Sequence, residues 1–406
     1  MRPYAAITVT PKGESSLLKG HPWVYEAEVS AIDGDVKDGD LVDVRSRKGS
    51  YLGTGFYNSH SLIRVRLVSR NANDRFDEAF WGHRVQYAWD YRKTVMGQQD
   101  SRCCRIIFGE ADQFPGLTVD RYENVLVAQV LSLGIEQRKD VIFSQLLRVL
   151  REDGQEIAGI FERNDVSIRE KEGMAQGKGW YLLPGESVPD MSTVDITENG
   201  IVYTVDFVNG QKTGFFLDQK YNRLAVSKLA EGKTVLDCFT HTGSFALNAA
   251  KGGAKHVTAV DVSDFAVQCA RENARRNGLD GVMECVCANV FELLPELEKQ
   301  QRRYDFIILD PPAFTKSRRT VAKAMTGYKE INYRAMKLLP RGGYLATCSC
   351  SHFASEELFI TMLRSAAADA GVQLRQIEVR QQCADHPILW GVEETNYLKF
   401  FLFQVV

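Results

Sequence analysis

The sequence lacks any apolar run long enough to cross a membrane. Among its 406 residues, no uninterrupted hydrophobic stretch approaches the roughly 18 residues that a membrane-spanning helix needs. The first residues, MRPYAAITVTPKGESS, also lack the continuous apolar core of a secretory signal peptide. These absences predict a soluble cytoplasmic protein that has no membrane partner.

The nine cysteines are not spaced as metal ligands. None of them forms a CxxC pair and no histidine stands at zinc-finger spacing, so a closed four-ligand metal site is not expected. An odd number of cysteines in a chain without a secretory signal favours free thiols, several of them buried and inert. No metal is therefore predicted, and a cysteine with a chemical role has to be found from its position in the fold.

The chain also lacks the overall basic charge that is typical of nucleic-acid binders, because its formal net charge is −2. The charge is unevenly distributed, however. Residues 302–341 contain ten Lys or Arg against three acids. A solvated helix face and a polyanion-binding surface both explain such a run. The run surrounds the segment DPPAF, which is the strongest candidate for a catalytic motif in the chain. This position makes the polyanion-binding surface as well supported as the solvated helix face.

Short alternating segments interrupted by Gly and Asp fill residues 1 to about 70 and predict a small β-rich domain. A loop with the sequence KGHPWVY, Lys19–Tyr25, combines basic and aromatic side chains. Such side chains can stack on unpaired RNA bases and neutralise phosphates, so Lys19 and Trp23 are candidate RNA contacts. In the alternative interpretation, Trp23 and Tyr25 close one end of a β barrel.

The sequence pattern changes twice further along the chain. After residue 73, a helical segment near 76–95, a strand–turn–strand segment and a helix near 136–152 predict a small α+β domain. The segment 184–195 has the composition of a linker. The predicted domains are 1–72, 73–192 and 193–406.

From about residue 196 the sequence alternates strands with helices, which predicts a mostly parallel sheet covered by helices on both faces. Ligands bind such sheets beyond the carboxyl ends of the strands. Polar or reactive residues close all five predicted strands. In chain order they are Asp237, Asp261, Asn289, Asp310 and Cys350.

The loop after the first of these strands lacks the glycines of phosphate-binding motifs. The segment DCFTHTG, residues 237–243, has one glycine where a dinucleotide fingerprint has three, and it lacks a Walker Lys-Ser/Thr pair. Phosphate binding is therefore not indicated, although Gly243 still allows the backbone close to a neutral or zwitterionic ligand. Asp261 follows Asp237 by 24 residues, near the spacing expected for a carboxylate that binds ribose hydroxyls.

Five segments resemble the successive motifs of class I S-adenosylmethionine-dependent methyltransferases, namely DCFTHTGSFA, AVDVS, CANVF, DPPAF and TCSCS. Upstream, KTGFFLDQ and its continuation to Arg223 resemble the segment that leads into this fold in one branch of RNA-modifying enzymes. Together with HPWVY and DRYENVLV, nearly the whole chain resembles the ribosomal RNA large subunit methyltransferase I family. The resemblance implies a PUA-like RNA-binding β domain, a central α+β domain and a Rossmann-like α/β methyltransferase domain.

The resemblance also implies S-adenosylmethionine as the cofactor. Asp237 and Gly243 would line its methionine end, Asp261 its ribose and Asn289 its adenine. Asn289 departs from the Asp of many class I enzymes, but its amide keeps an acceptor and adds a donor. The other implied cofactor contacts are Gln219, Arg223, Phe239, Thr240, Val262, Val290, Asp310 and Pro311.

The family makes 5-methylcytosine, which implies a nucleophilic cysteine. Carbon 5 of cytosine becomes nucleophilic when a thiolate adds to carbon 6. Cys350 stands at the family's position for this nucleophile, whereas Cys348, two residues earlier on the same strand face, is expected to be buried and inert. The second predicted catalytic residue is Asp310, which is expected to hydrogen-bond the flipped cytosine.

Predicted RNA contacts follow Asp310 directly. Phe314 is expected to pack against the base, and Lys316, Arg318 and Arg319 to neutralise nearby phosphates. The predicted partner is ribosomal RNA, of the 23S type by the resemblance, and a homodimer stays open.

Three alternatives stay open as well. A guanine-nitrogen RNA methyltransferase of the same fold would use a base lone pair and would need no thiol. A non-catalytic RNA-binding assembly factor would keep the fold, but an idle pocket would be expected to lose some strand-end residues. A small-molecule methyltransferase agrees less well with the β-rich N-terminal module and the basic stretch.

Overall fold

A computed structural model describes residues 2–315 and 317–406, so the predicted RNA contact Lys316 lies outside the described residues. The chain separates into two compact units. The first contains the chain up to Ile196, Thr204–Leu217 and Ala384–Thr395, and the second contains Thr197–Tyr203, Asp218–Cys383 and Asn396–Val406. Within the described ranges, no helix combines the length and the apolar character that a membrane span requires.

The first unit begins with a six-stranded sheet. Its strands are β1 (Ala5–Val9), β2 (Trp23–Tyr25), β3 (Val29–Asp33), β4 (Leu41–Arg45), β5 (Tyr51–Tyr57) and β6 (Ile63–Ser69). In the spatial order β2-β6-β5-β4-β1-β3, β1 pairs with β4 in parallel and the other neighbours pair antiparallel. Alternate side chains such as Ile7, Val9, Val44 and Val65 form a buried core. The predicted β-rich N-terminal domain is confirmed.

One element of this sheet domain is not predicted by the sequence pattern: helix α1 (Pro11–Leu18), which follows β1. Its start carries clear signals, because Thr10 Oγ1 accepts a hydrogen bond from the N–H of Gly13 at 3.3 Å and proline occupies the first helical position. The helix nevertheless contains a glycine and two serines, which are weak helix formers. Leu17 is fully buried, so tertiary packing rather than intrinsic propensity stabilises α1.

A five-stranded sheet forms the rest of the first unit's framework. The elements are α2 (Glu78–Asp100), β7 (Cys103–Phe108), β8 (Leu117–Tyr122), β9 (Val125–Val130), α3 (Leu133–Glu136), α4 (Lys139–Glu152), β10 (Gly159–Arg163), α5 (Ile168–Lys171) and β11 (Lys178–Tyr181). In the order β11-β10-β9-β8-β7, β9 and β10 pair in parallel and the other neighbours pair antiparallel. A parallel pair needs a crossover connection, which α4 provides. The predicted central α+β architecture is confirmed.

The two-stranded sheet of β12 (Thr193–Glu198) and β13 (Ile201–Asp206) precedes the main sheet of the second unit. The elements that follow are α6 (Lys220–Ser227), β14 (Thr234–Cys238), α7 (Ser244–Lys251), β15 (His256–Asp261), α8 (Asp264–Arg276), β16 (Met283–Cys287), α9 (Val290–Lys299), β17 (Phe306–Leu309), α10 (Val321–Leu338), β18 (Tyr344–Ser349), α11 (Glu356–Ala370), β19 (Leu374–Arg380) and β20 (Lys399–Val405).

The main sheet has seven strands in the order β16-β15-β14-β17-β18-β20-β19. The five strands β14–β18 run parallel to one another, and β20 is antiparallel to both β18 and β19. Leu236 and Ile307 pack on one face in a core with side chains of α9, α10 and α11. Phe400 lies on the opposite face, where its ring stacks 6.4 Å from Phe245 of α7. Helices therefore cover both faces, as predicted.

Candidate active site

The strand order places a topological switch at the centre of the main sheet. The chain proceeds outward from β14 through β15 and β16 on one side, and then from β17 to β18 on the other side. Because β14–β18 are parallel, their carboxyl ends meet at one edge of the sheet. A crevice at such a switch is the expected ligand site of an open α/β sheet.

Asp237 lies at the centre of this edge and is fully buried. Its Oδ2 accepts hydrogen bonds from Thr240 Oγ1 at 2.5 Å and from the backbone N–H of Ala246 at 2.9 Å. Ala246 belongs to the first turn of α7, where free N–H groups favour a negative charge. Asp237 Oδ1 is buried and has no hydrogen-bond partner among the described residues. The second oxygen is therefore available to a ligand.

Further carboxylates make this edge acidic. Burial raises the pKa of Asp237 to about 7, and the negative charges of Asp310 and Asp261 also raise it. Burial likewise raises the pKa of Asp310 to about 7, with the charge of Asp218 as the next contribution. Carboxylates that repel one another out of water are stabilised by a nearby cation. The electrostatics of this edge therefore favour a positively charged ligand.

Two residues of the upstream segment reach this edge. The Nε2 of Gln219 donates a hydrogen bond to Asp310 Oδ1 at 3.0 Å, so the structure brings these two predicted site residues together. Arg223 is buried, and its Nε and Nη2 donate to the two oxygens of Glu198 at 2.6 and 2.8 Å. Its Nη1 lies 3.5 Å from Ser244 Oγ at the start of α7. The contact of Arg223 with the cofactor stays a prediction.

Asp261 ties two loops of the edge together. Its Oδ2 accepts from the N–H of His241, and its Oδ1 accepts from the N–H of Ser263, both at 2.9 Å. Each carboxylate oxygen has a further lone pair, so the predicted binding of ribose hydroxyls remains compatible with these bonds. The neighbouring Val262 side chain is 71% exposed and can contact a ligand.

The predicted cofactor contacts Asn289 and Val290 have structural partners as well. Asn289 caps α9, because its Oδ1 accepts from the N–H of Phe291 at 3.1 Å. Its Nδ2 donates to Glu292, and the residue is exposed. Val290 is 2% exposed and belongs to the core, so its side chain packs between helix and sheet. The contact of Asn289 with adenine and that of Val290 with the cofactor stay predictions.

Two cysteines stand at the end of β18 in different environments. Cys350, the first residue after the strand, is partly buried, and its Sγ lies 3.9 Å from the carbonyl oxygen of Pro311. Cys348 is fully buried, and burial together with the charge of Asp310 raises its pKa well above the usual range. A thiol of that kind stays protonated and unreactive. Of this pair, Cys350 is the one with access to the site.

Aromatic rings and exposed arginines follow Asp310. The ring of Phe314 is partly buried and lies 4.6 Å from the ring of Tyr328 and 5.8 Å from that of Phe291. A cavity next to it is lined by Phe314, Thr320, Lys323, Ala324 and Gly327. Arg318 and Arg319 are exposed in the short turn before α10.

The other predicted RNA contacts belong to the first unit. Lys19 is exposed. The indole Nε1 of Trp23 donates to Glu110 Oε1 at 2.9 Å, and the guanidinium of Arg66 lies 5.4 Å from the ring centroid. These contacts fix the orientation of the Trp23 ring, which both interpretations of the loop require. Its contact with RNA stays a prediction.

Comparison with known proteins identifies the family. The profile of a PUA-like domain matches residues 7–70, and that of an S-adenosylmethionine-dependent methyltransferase matches residues 179–403. A ribosomal RNA large subunit methyltransferase I from Aeromonas salmonicida is 40% identical over 387 residues, which cover 95% of this chain and 96% of that protein. A second one, from Klebsiella pneumoniae, is 38% identical over 400 residues, which cover 98% of each chain. This chain belongs to the ribosomal RNA large subunit methyltransferase I family.

Solved structures agree on the fold. A chain from Streptococcus mutans described as a SAM-dependent methyltransferase superposes with a TM-score of 0.81 at 23% identity, over 98% of this chain and 99% of that chain. The methyltransferase SMU.776, complexed with SAH, gives a TM-score of 0.82 at 23% identity with the same coverage. The predicted combination of a PUA-like domain, an α+β region and a Rossmann-like methyltransferase domain is confirmed.

The site fits the cofactor of this family, S-adenosylmethionine, which carries a sulfonium cation and an ammonium group. Asp237 Oδ1 offers a buried acceptor that has no partner among the described residues. Burial is the main cause that raises the pKa values of Asp237 and Asp310 to about 7, and neighbouring carboxylates add to the effect. A cationic ligand would stabilise the charged form of both groups. The predicted cofactor is therefore confirmed by the family and agrees with the chemistry of the site.

Three residues of this site do not emerge from the sequence analysis. Glu198 pairs with Arg223, Tyr328 hydrogen-bonds the serines on both sides of Cys350, and Lys399 bonds the loop that follows Cys350. One feature of the sequence sets Lys399 apart, because it is a charged residue at the start of the apolar run KFFLF. The partners of all three are remote in sequence, and no local motif reveals them.

Proposed function

We propose that this protein methylates carbon 5 of a cytosine in the RNA of the large ribosomal subunit, with Cys350 as the nucleophile. The observation that carries the proposal is the position of Cys350. Its Sγ is 3.9 Å from the carbonyl oxygen of Pro311, at the edge of the sheet that also holds Asp237 and Asp310. The thiol of Cys350, the carboxyl group of Asp310 after β17 and the proposed cofactor residues thus lie at one edge of the sheet. The names of the relatives support ribosomal RNA as the substrate.

The role of Cys350 follows from the chemistry of cytosine. Bound S-adenosylmethionine supplies a methyl group on a sulfonium, and S-adenosylhomocysteine is the product. The Cys350 thiolate forms a bond from Sγ to carbon 6, and the electron pair of the 5,6 double bond moves to carbon 5, which then accepts the methyl group. A base next removes the proton on carbon 5. That electron pair restores the double bond, the bond from Sγ to carbon 6 breaks, and the thiolate is regenerated.

Asp310 is proposed to orient the base. Gln219 fixes one carboxylate oxygen through the 3.0 Å hydrogen bond, and Pro311 and Pro312 prevent the strand from continuing. With a pKa of about 7, the carboxyl group can donate to the ring nitrogen of cytosine or accept from its amino group near neutral pH. The base must leave its stack to reach this site, and Phe314 is proposed to pack against it.

The cofactor contacts are proposed on the same geometry. Asp237 and Gly243 would hold the methionine end of the cofactor, and the carboxylate of Asp261 would accept from the ribose hydroxyls. The exposed Val262 side chain would contact the adenine ring, next to Asn289. The remaining proposed contacts are Gln219, Arg223, Phe239, Thr240, Val290, Asp310 and Pro311.

RNA binding is proposed to use the exposed arginines next to the site. Parts of the basic stretch have acidic partners: Arg334 pairs with Glu298 and Glu330, and Lys329 pairs with Asp369. Arg318 and Arg319 are exposed in the turn that follows the aromatic cluster, where they would bind phosphates. In the N-terminal unit, Lys19 and Trp23 are the proposed RNA contacts.

The predicted division into domains at 1–72, 73–192 and 193–406 is also a proposal. It is supported by the separate six-stranded and five-stranded sheets of the first unit. The segment before β12 has the loop composition of a linker. Limited proteolysis tests the division, because cleavage is expected first between residues 184 and 192.

A methylation assay tests the proposed function. The protein is incubated with ribosomal RNA from a source that lacks the modification and with labelled S-adenosylmethionine, and the labelled nucleoside is identified by mass. The proposal predicts 5-methylcytidine. A labelled guanosine would show the guanine-nitrogen reaction instead, and binding of RNA without any transfer would favour the assembly factor.

The matched variants Cys350→Ser and Cys348→Ser isolate the thiol. Both substitutions replace sulfur by oxygen, at positions two residues apart at the end of β18. Cys350→Ser is expected to lower the methylation rate at least about a thousandfold, because a serine hydroxyl is a far weaker nucleophile near neutral pH. Cys348→Ser is expected to remain active. Equal activity of Cys350→Ser and the wild type would contradict the proposal.

A further inference from the structure

Lys399 is a buried lysine without a function in the proposed reaction. It begins β20, opposite Ser349 of β18 in the antiparallel register, and it is 6% exposed. Its Nζ donates hydrogen bonds to the carbonyl oxygens of Ser351 and Ala354, both at 2.8 Å. These two carbonyls belong to the loop directly after Cys350.

The cost of burying this ammonium suggests a purpose. Transfer of a lysine ammonium out of water costs several kcal/mol unless it is paired with a charge or well hydrogen-bonded. Both of these hydrogen-bond partners are neutral carbonyls, and the following residues Phe400–Phe403 are buried. An apolar side chain at this position would pack on β18 at lower cost. A buried cation next to a cleft is a candidate for a functional role.

The surroundings of Cys350 show what the cation acts on. The electrostatic neighbours of Cys350 include Cys348 on β18, Tyr328 on α10 and Lys399 on β20. Glu356 at the start of α11 acts on Lys399 as well. Cys348 and Tyr328 are neutral or negative, whereas Lys399 brings a positive charge to this group.

The serines that flank Cys350 are fixed from a second side. Tyr328 is buried, its hydroxyl lies 2.9 Å from Ser351 Oγ, and Ser349 Oγ donates to it at 3.0 Å. The segment 349–351 is therefore held by Tyr328 from α10 and by Lys399 from β20. The first contact is uncharged and the second brings a charge, which makes the two residues separable by experiment.

We infer that Lys399 is a positioning residue that holds the Cys350 loop in place and stabilises the Cys350 thiolate by its charge. The inference rests on the proposed role of Cys350 as the nucleophile. A thiolate next to an ammonium forms at lower pH than a free thiol. Burial lowers the pKa of Lys399 itself to about 8, and the negative charge of Cys350 opposes this shift. Each group thus favours the charged form of the other.

The direct test is the pH dependence of Cys350 alkylation by iodoacetamide, followed by mass spectrometry of the Cys350 peptide. Lys399→Gln keeps an N–H donor for the loop carbonyls but removes the charge, whereas Lys399→Arg keeps the charge. Lys399→Gln is expected to raise the pKa of the Cys350 thiol by on the order of one pH unit, which is about a tenfold loss of thiolate at pH 7. Lys399→Arg is expected to retain the wild-type reactivity at pH 7.

Tyr328→Phe is the matched control, because it removes hydrogen bonds from the flanking serines and leaves every charge in place. It is expected to leave the thiol pKa close to the wild-type value. An unchanged thiol pKa in Lys399→Gln would overturn the inference. Equal shifts in Lys399→Gln and Tyr328→Phe would overturn it too, since they would show loss of loop order and not loss of charge.

A second measurement keeps the inference testable if Lys399→Gln does not fold. An arginine stays charged at all accessible pH values, whereas Lys399 loses its proton near pH 8. Above pH 8 the Cys350 thiolate of Lys399→Arg is therefore expected to be more stabilised than that of the wild type. Identical alkylation profiles of the two proteins from pH 6 to 10 would refute the electrostatic role.

Activity separates this inference from the proposed function. If Lys399 acts as inferred, methylation by Lys399→Gln falls about tenfold at pH 7 and recovers towards pH 9, with an unchanged KM for RNA. If Cys350→Ser retains methylation while the alkylation results stand, the proposed function fails and the effect of Lys399 on the thiol remains.

Discussion

Replacing Asp237 by Asn should change how the stability of the second unit depends on pH. The wild-type carboxyl group is fully buried, has one unpartnered oxygen among the described residues, and has a pKa of about 7. Asparagine has nearly the same shape, and its Oδ1 can accept the hydrogen bonds from Thr240 and Ala246. The amide is neutral at every pH, so the substitution removes the titration and retains the packing.

The magnitude follows from the difference between the folded and the unfolded pKa. An unfolded aspartate has a pKa of about 3.9, so the gap is about three pH units, and each unit corresponds to roughly 1.4 kcal/mol. Between these two pKa values the folded state holds a proton that the unfolded chain has released. The free energy of unfolding therefore falls as pH rises from about 4 to 7, by about 4 kcal/mol in total, and then stays constant.

The variant lacks this loss, so its stability relative to the wild type should rise by about 3 kcal/mol between pH 5 and pH 8. The amide nitrogen that takes the place of Oδ1 lowers the free energy of unfolding of the variant by about 1–3 kcal/mol. Because that cost is the same at each pH, the slope and not the absolute stability is the readout.

Hydrogen exchange of peptides from β14 and α7 is the appropriate assay, after correction for the pH dependence of intrinsic exchange. Tryptophan fluorescence is unsuitable, because all five tryptophans belong to the first unit. They are Trp23, Trp81, Trp89, Trp180 and Trp390. Parallel protection curves for Asp237→Asn and the wild type from pH 5 to 8 would refute the reasoning. Calorimetry should in addition show weaker binding of S-adenosylmethionine by the variant, because the unpartnered acceptor is lost.

Three further predictions concern the same unit. Glu198→Gln leaves the buried Arg223 without its counter-charge and should lower the free energy of unfolding by about 3–5 kcal/mol, as measured by urea titrations followed by hydrogen exchange. The double variant Glu198→Met with Arg223→Met should recover most of this loss. A loss below about 1 kcal/mol in Glu198→Gln would contradict the prediction. Gly243→Ala should lower the free energy of unfolding by about 1–3 kcal/mol and weaken cofactor binding in calorimetry. The reason is that φ of Gly243 is +84° and the new Cβ would lie 3.0 Å from Ala270 Cβ. Gly371→Ala, where φ is +70° and the surrounding space is open, is the control for backbone strain alone. Arg318→Ala with Arg319→Ala should reduce the slope of log Kd for RNA against log salt by about 1–2 and leave cofactor binding unchanged; an unchanged slope would show that neither arginine binds phosphate.

Much of the fold of the second unit is predictable because its signals are local. Strands such as β14 and β17 are short apolar runs with an acid at or just after their carboxyl end, and they are buried on both faces, as is typical of a parallel sheet covered by helices. Helix α8 begins at Asp264 and is capped by Ser263, whose Oγ accepts from the N–H of Ala266, and this cap is visible in the sequence. Helix α1 escapes prediction because its propensity is weak and its stability comes from burial of Leu17.

The candidate site is predictable where residues lie at strand ends, and unpredictable where their partners are remote. Parallel strands bring Asp237, Asp261 and Asp310 to one edge wherever the helices between them pack. The pairing of Arg223 with Glu198 depends on the path of β12, and the contact of Lys399 with the Cys350 loop depends on the antiparallel register of β20. Neither register nor path is encoded in a short motif.

The most direct test of the central claim uses RNA in which cytidine is replaced by 5-fluorocytidine. Fluorine on carbon 5 cannot leave as a proton, so after methyl transfer the bond from Cys350 Sγ to carbon 6 cannot break. The account predicts a protein–RNA complex that survives denaturation and requires S-adenosylmethionine, with the nucleotide attached to the Cys350 peptide in mass spectrometry. Turnover of ordinary RNA without any trapped complex, or attachment to another residue, would contradict it.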